Sequence, residues 1–159
     1  MGRRKNRWIL VKVNLRDSAC EPERFSRILT RETVEIEIRR LSNVLYGTVG
    51  GGFVAEATSA VLVDEAESLV LIQTKRNFLP NVLCVVRCID KLQKVGVTLE
   101  IIHVGGTLHQ CKKLLFTRLL DTLAQLQALS LGQAPAKQIH AQKALSGINE
   151  VNKLRNPGT

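Results

Sequence analysis

Residues 101–113 read IIHVGGTLHQCKK, an apolar run that crosses two glycines and continues into a polar, helix-compatible segment. Upstream, Val97 to Val104 has strand character. Downstream, Thr107 can cap a helix whose apolar stripe is Leu108, Cys111, Leu115, Leu119, Thr122, Leu126 and Leu129, with Gly132 and Pro135 marking its end. A strand therefore leaves directly into a helix. Amide groups at such a helix start attract anions, and glycine lets a phosphate approach the backbone closely. Lys112 and Lys113 follow one to two turns later, and His103 stands near the strand exit. The corner of His103, Gly105, Gly106, Thr107, Lys112 and Lys113 is thus chemically suited to contacting phosphate. A tight turn with a helix cap, in which His103 is a satisfied structural side chain, explains the same residues without a ligand.

The elements upstream of this corner set its place in a fold. Trp8 to Leu15 alternates and reads as a first strand with one strongly apolar face. Glu23 to Tyr46 is expected to be a helix, since Val34, Ile38, Leu41 and Leu45 share a face and Gly47 stops it, although Val34 to Ile38 also alternates like a strand. A glycine-rich turn, Gly47 to Gly52, leads to a β-like run from Phe53 to Val63. The acidic link Asp64 to Glu67 then joins it to Leu69–Thr74 as a hairpin. Phe78, Val82, Val85, Val86, Ile89 and Leu92 recur at helical spacing, with Gly96 expected to end that helix. The order is β-α-β-β-α-β-α: an α+β, ferredoxin-like (RNA-recognition-like) β-α-β-β-α-β sheet with an added C-terminal helix. Two helices cover one face of such a sheet, and the last helix or a partner must cover the other.

Charge is distributed unevenly along the chain. Its 159 residues are 45% hydrophobic, enough for an ordinary core at one-domain length. The net charge of +9 sits in the ends: residues 1–16 hold six Lys/Arg and no acid, residues 132–159 hold four Lys/Arg and one acid, and residues 17–131 balance thirteen against thirteen. This divides the chain into a basic arm over 1–7, a ferredoxin-like domain over 8–131, and a basic tail over 132–159 that is flexible or ordered by a partner. Basic arms on a neutral body are a common design for polyanion binders. Arg3, Arg4, Lys5 and Arg7 flank Trp8, and Lys75-Arg76 form a second basic corner at the start of the second helix. Such side chains track phosphates without reading sequence. The six aromatic residues form no base-stacking strand of the RNA-recognition type, so recognition of folded shape and backbone is expected.

Several function classes find no support. The apolar run after the basic start is broken at Lys12, too early for a signal peptide, and no segment is long enough to span a bilayer. The expected setting is intracellular, with Cys20, Cys84, Cys88 and Cys111 as free thiols. Cys84 and Cys88 are four apart on a predicted helix without a CxxC pair or a nearby HxxxH, so no zinc site is expected. Gly47 to Gly52 follows a helix and precedes a strand, the reverse of a phosphate loop. Glu32, Glu35 and Glu37 lack a partnering histidine or serine motif and read as a solvated helix face.

The HVGGT of residues 103–107, placed after the fourth strand and followed by Cys111 and Lys113 on a helix, resembles the processing-of-precursor-RNA subunit five (Pop-five) family of ribonuclease P and ribonuclease MRP. The resemblance extends to Arg7–Leu10, to Gly47-Thr48 and to the join Thr74–Phe78, over roughly residues 3–120. It implies a non-catalytic subunit that supports the catalytic part of a large RNA during 5′ leader removal from precursor tRNA and in rRNA precursor processing. The chemistry would belong to the RNA and its Mg2+, with no cofactor on the protein. It further implies contact with ribonuclease P RNA and MRP RNA, with precursor tRNA through the complex, and with an Rpp-thirty-type barrel subunit. RNA contact is carried to Arg7 and to Lys75-Arg76, and His103, Gly105, Gly106 and Thr107 are the family motif. The tail extends past the compact archaeal-type core, which points to a eukaryotic member and so to the nucleus and nucleolus. A stand-alone RNA-binding module and a ferredoxin-like ligand-sensing domain are the alternatives.

Overall fold

β1, Asn6–Leu15, is the centre of the sheet in a computed structural model that describes residues 5–16 and 22–130. Arg3, Arg4, Cys20 and the 132–159 tail lie outside the described residues. β1 is followed by the helices α1 (Pro22–Ile28) and α2 (Arg31–Glu56), then by the strands β2 (Thr58–Asp64) and β3 (Leu69–Lys75). A 3-10 turn at Arg76–Phe78 leads to α3 (Leu79–Cys88), the two-residue β4 (Lys91–Leu92), β5 (Val95–Gly105) and α4 (Leu108–Ser130). The strands lie antiparallel in the order β2-β3-β1-β5-β4. This is the ferredoxin-like plan with a helix added at its C-terminal end and a small hairpin, β4–β5, on one edge.

Both faces of the sheet are buried, which explains why Ile9, Leu10 and Val11 are all fully covered in consecutive positions. Odd-numbered β1 residues Ile9, Val11 and Val13 join Val70, Ile72, Val97 and Leu99 under Val34, Ile38, Val82 and Val86 of α2 and α3. Leu10 turns the other way and meets Leu62, Leu69 and Leu71 beneath Cys111, Leu115 and Leu119 of α4. The last helix is therefore the cover of the second face, and the three side chains it buries are the centre of its apolar stripe.

The first helical region departs from its expected form at both ends. It is two helices, because Thr30 interrupts it with an extended backbone and accepts a hydrogen bond from the Thr33 amide at 3.2 Å, capping α2. It then continues past Gly47, where a helix stop and a glycine-rich turn were expected, as far as Glu56, so β2 begins at Thr58 and not at Phe53. Gly47 (φ 73°, ψ 174°) supplies the left-handed kink between the two halves. Gly51 supplies the close approach: a Cβ there would lie 2.5 Å from the Ser42 carbonyl oxygen and 2.6 Å from the Asn43 backbone. The glycines serve a helix folded back on itself rather than a loop.

Two smaller differences share a cause. α3 ends at Cys88, not near Gly96, and Lys91 to Gly96 form a tight hairpin turning at Gln93 (φ 54°). Ile89 and Leu92 still enter the same core as Val85, which is why helical spacing carried the reading too far. Glu35 and Glu37 are not simply solvated. Glu35 Oε1 accepts from the Ala60 amide at 2.8 Å, tying α2 to the edge strand, and Glu37 is buried against Arg40 in an ion pair. Glu32 alone of the three fits a solvated face.

Candidate nucleic-acid interface

The antiparallel register collects basic side chains that are far apart in sequence. Asn6 pairs with Lys75, Arg7 with Thr74, and Trp8 with Gly105, so the start of β1 and the ends of β3 and β5 form one end of the sheet. The Arg76 amide donates to the Lys5 carbonyl at 2.9 Å, extending the pairing beyond the strands. Lys5, Lys75 and Arg76 are exposed and Arg7 is half-buried. Arg7 Nη1 donates to the Asn6 carbonyl at 3.1 Å and stands 3.7 Å from where a Cβ on Gly106 would lie. Lys5 to Arg7, the β3–α3 join and the glycine corner thus meet at one end of the sheet.

Within this corner the two glycines have different tasks. Neither has a positive φ, so neither is needed for an unusual backbone. Gly105 is buried, and a Cβ on it would sit 3.1 Å from Cys111 Sγ and 3.3 Å from His103 Nε2. Its missing side chain is the socket into which the first turns of α4 pack. Cys111 is fully buried and its thiol donates to the Trp8 carbonyl at 3.7 Å. Burial pushes that thiol up from its ordinary value, which favours the protonated, donating form. Gly105→Ala should therefore cost about 1 kcal/mol of stability by crowding Cys111. Gly106→Ala, whose new methyl would meet only ordinary contacts, should change stability by less than about 0.5 kcal/mol. Urea denaturation of the two variants checks the contrast.

His103 pairs across the sheet with Leu10, beside a β-bulge between Leu10 and Val11, and faces α4. Its Nε2 is buried without a hydrogen-bond partner among the described residues, which does not match a satisfied structural histidine. Thr107 is exposed and directly precedes α4, and its hydroxyl makes no capping bond among the described residues. Lys113 is exposed, whereas Lys112 is half-buried and engaged with a neighbour.

Other chemistry is sparse. Among the described residues no three His, Cys, Asp or Glu side chains are grouped to hold a metal ion, and Cys84 and Cys88 lie exposed as free thiols. No described helix is long and apolar enough to cross a membrane. Sequence reasoning missed Asn6, Gln73 and Glu56, which reach the same end of the sheet around a shallow cleft. They follow no motif spacing and become neighbours only through the strand register.

The Rpp14/Pop5 family model of ribonuclease P matches residues 7–116, more than half of the chain. The chain belongs to the Rpp14/Pop5 family. It is accordingly a protein component of the ribonuclease P/MRP class of ribonucleoproteins. The stretch shared with the Rpp14/Pop5 family begins at Arg7 and includes Lys75, Arg76, the 103–107 corner, Lys112 and Lys113, while Lys5 falls just before it. Among solved structures, the chain is similar to one in the cryo-EM structure of yeast ribonuclease MRP, with a TM-score of 0.46, 11% identity, and coverage of 77% of this chain and 97% of that one. Comparison with curated protein sequences gives no match.

Proposed function

We propose that this Rpp14/Pop5 family member binds and stabilises the catalytic part of ribonuclease P RNA, and of MRP RNA, for removal of the 5′ leader from precursor tRNA and for processing of rRNA precursors. The observation that carries the reading is the meeting of Lys5, Arg7, Lys75 and Arg76 at one end of the sheet. Cations brought together from separate chain segments, on a body with no net excess of positive charge, form a phosphate-binding patch. The protein performs no cleavage. It neutralises phosphates that must pack closely, while the RNA holds the Mg2+ and carries out the reaction on precursor tRNA.

The glycine corner extends this patch toward α4, with Arg7 beside Gly106 and Lys113 open on the first turns of the helix. Arg3, Arg4 and Lys112 complete the set of RNA-facing residues in the proposal. On α2, Ile36, Val44, Val49 and Phe53 remain exposed and offer apolar contact area to protein subunits, an Rpp-thirty-type barrel among them. A nuclear and nucleolar location follows from this role in a eukaryotic cell.

Replacing Arg7, Lys75 and Arg76 together by alanine should weaken binding to the partner RNA about tenfold near physiological salt. It should also flatten the slope of log affinity against log salt by about 2 to 3. Filter binding across a salt series measures both, and an unchanged slope would show that this end of the sheet does not engage phosphate.

A further inference from the structure

The end of the sheet that carries the basic corner also carries a cleft of about 260 Å3, opening where α2 gives way to β2. Two of its residues are already committed: the Thr58 hydroxyl donates to the Val54 carbonyl at 2.8 Å and lies 3.1 Å from the Thr74 hydroxyl. The others are not. Asn6, Glu56, Ser59, Gln73 and Lys75 line the cleft with exposed or half-buried side chains. Among the described residues none of these five side chains makes a hydrogen bond or an ion pair. Over most of the sheet both faces are covered by apolar packing, whereas here uncommitted polar side chains line a concavity.

We propose that this cleft reads the base of one unpaired RNA nucleotide and selects a base bearing an exocyclic amino group. The proposal rests on the RNA-binding reading of the adjacent basic patch. Two amides, Asn6 and Gln73, each present a donor and an acceptor side by side, the pattern that matches the edge of a base. The Glu56 carboxylate can only accept, and so requires a donor such as the amino group of cytosine, adenine or guanine, which uracil lacks. The same carboxylate disfavours a phosphate against itself and leaves the phosphate to Lys75, which also lines the cleft, with Arg76 and Lys5 beside it. At about 260 Å3 the space is smaller than the roughly 300–1,000 Å3 of sites for drug-sized ligands, which suits a single base. No aromatic side chain lines it, so the base is read by its edge and not by stacking.

Fluorescence anisotropy of the full chain with short oligo(C) and oligo(U) RNA near neutral pH tests this directly. Oligo(C) should bind about tenfold more tightly than oligo(U), the scale of one good base-edge contact. Glu56→Ala should bring the ratio of the two affinities to about 1, and Glu56→Gln, which keeps a carbonyl acceptor, should retain a ratio of about 3. Taking the ratio removes the general effect of deleting a negative charge. A wild-type ratio near 1, a ratio that survives Glu56→Ala, or a glutamine variant no better than alanine overturns the cleft proposal and leaves the backbone-binding reading intact. Absence of salt-dependent binding to either RNA overturns both.

Discussion

Gly51→Ala is expected to lower the stability of the protein by about 3 kcal/mol, the upper part of the range for overpacking a close contact. The new Cβ would lie 2.5 Å from the Ser42 carbonyl oxygen and 2.6 Å from the nitrogen and Cα of Asn43. Every one of these atoms is backbone, so no rotamer change relieves the clash. The second half of α2 must move away from the first, and Val54, only 2% exposed in the core, must move with it. Gly52→Ala is the control. A Cβ on Gly52 meets nothing within 4 Å, and alanine in a helix is favoured over glycine by about 0.5–1 kcal/mol. Chemical denaturation of the pair should thus give opposite signs one residue apart. Equal effects would mean that the two halves of α2 are not in contact.

Leu115→Ala is expected to cost a comparable amount, about 3 kcal/mol, by opening a cavity between α4 and the sheet. Leu115 is 1% exposed and packs with Leu10, Leu62, Leu71 and Leu119 in the second core. That core is small, with seven buried members among the described residues against twenty-one on the opposite face, so few neighbours can shift to fill the space. Phe116→Ala, one position on and 36% exposed, should cost less than about 1 kcal/mol. If the two substitutions proved equal, α4 would not be the cover of this face.

Much of the architecture could be read from spacing alone. The alternation of Trp8–Leu15 becomes β1, the Leu69–Thr74 run becomes β3, and Cys111, Leu115 and Leu119 become the buried stripe of α4. The ambiguous Val34–Ile38 segment is helical, and Val34, Glu37 and Ile38 are its buried positions. The glycine cluster misled because local preference points to a turn, whereas the actual reason for Gly51 is contact with backbone nine residues away. Leu92 misled for a different reason, since a helix and a tight hairpin both deliver it to the same core. For the site, sequence isolated the basic groups but could not join them. Lys5 and Arg76 become neighbours only once β1 and β3 are in register, and Asn6, Glu56 and Gln73 carry no motif by which they could be chosen.

The position of β1 has a consequence for synthesis of the chain. It is made before β3 and β5, yet it lies between them, and their residues, 69–75 and 95–105, arrive much later. Pairings of such long sequence separation form slowly. Even when β5 has joined, Leu10, Leu62 and Leu71 still face water until α4 follows. A nascent chain therefore carries an open apolar sheet face between the synthesis of β3 and that of α4, and the arrival of α4 sets how long that face is available for misassociation.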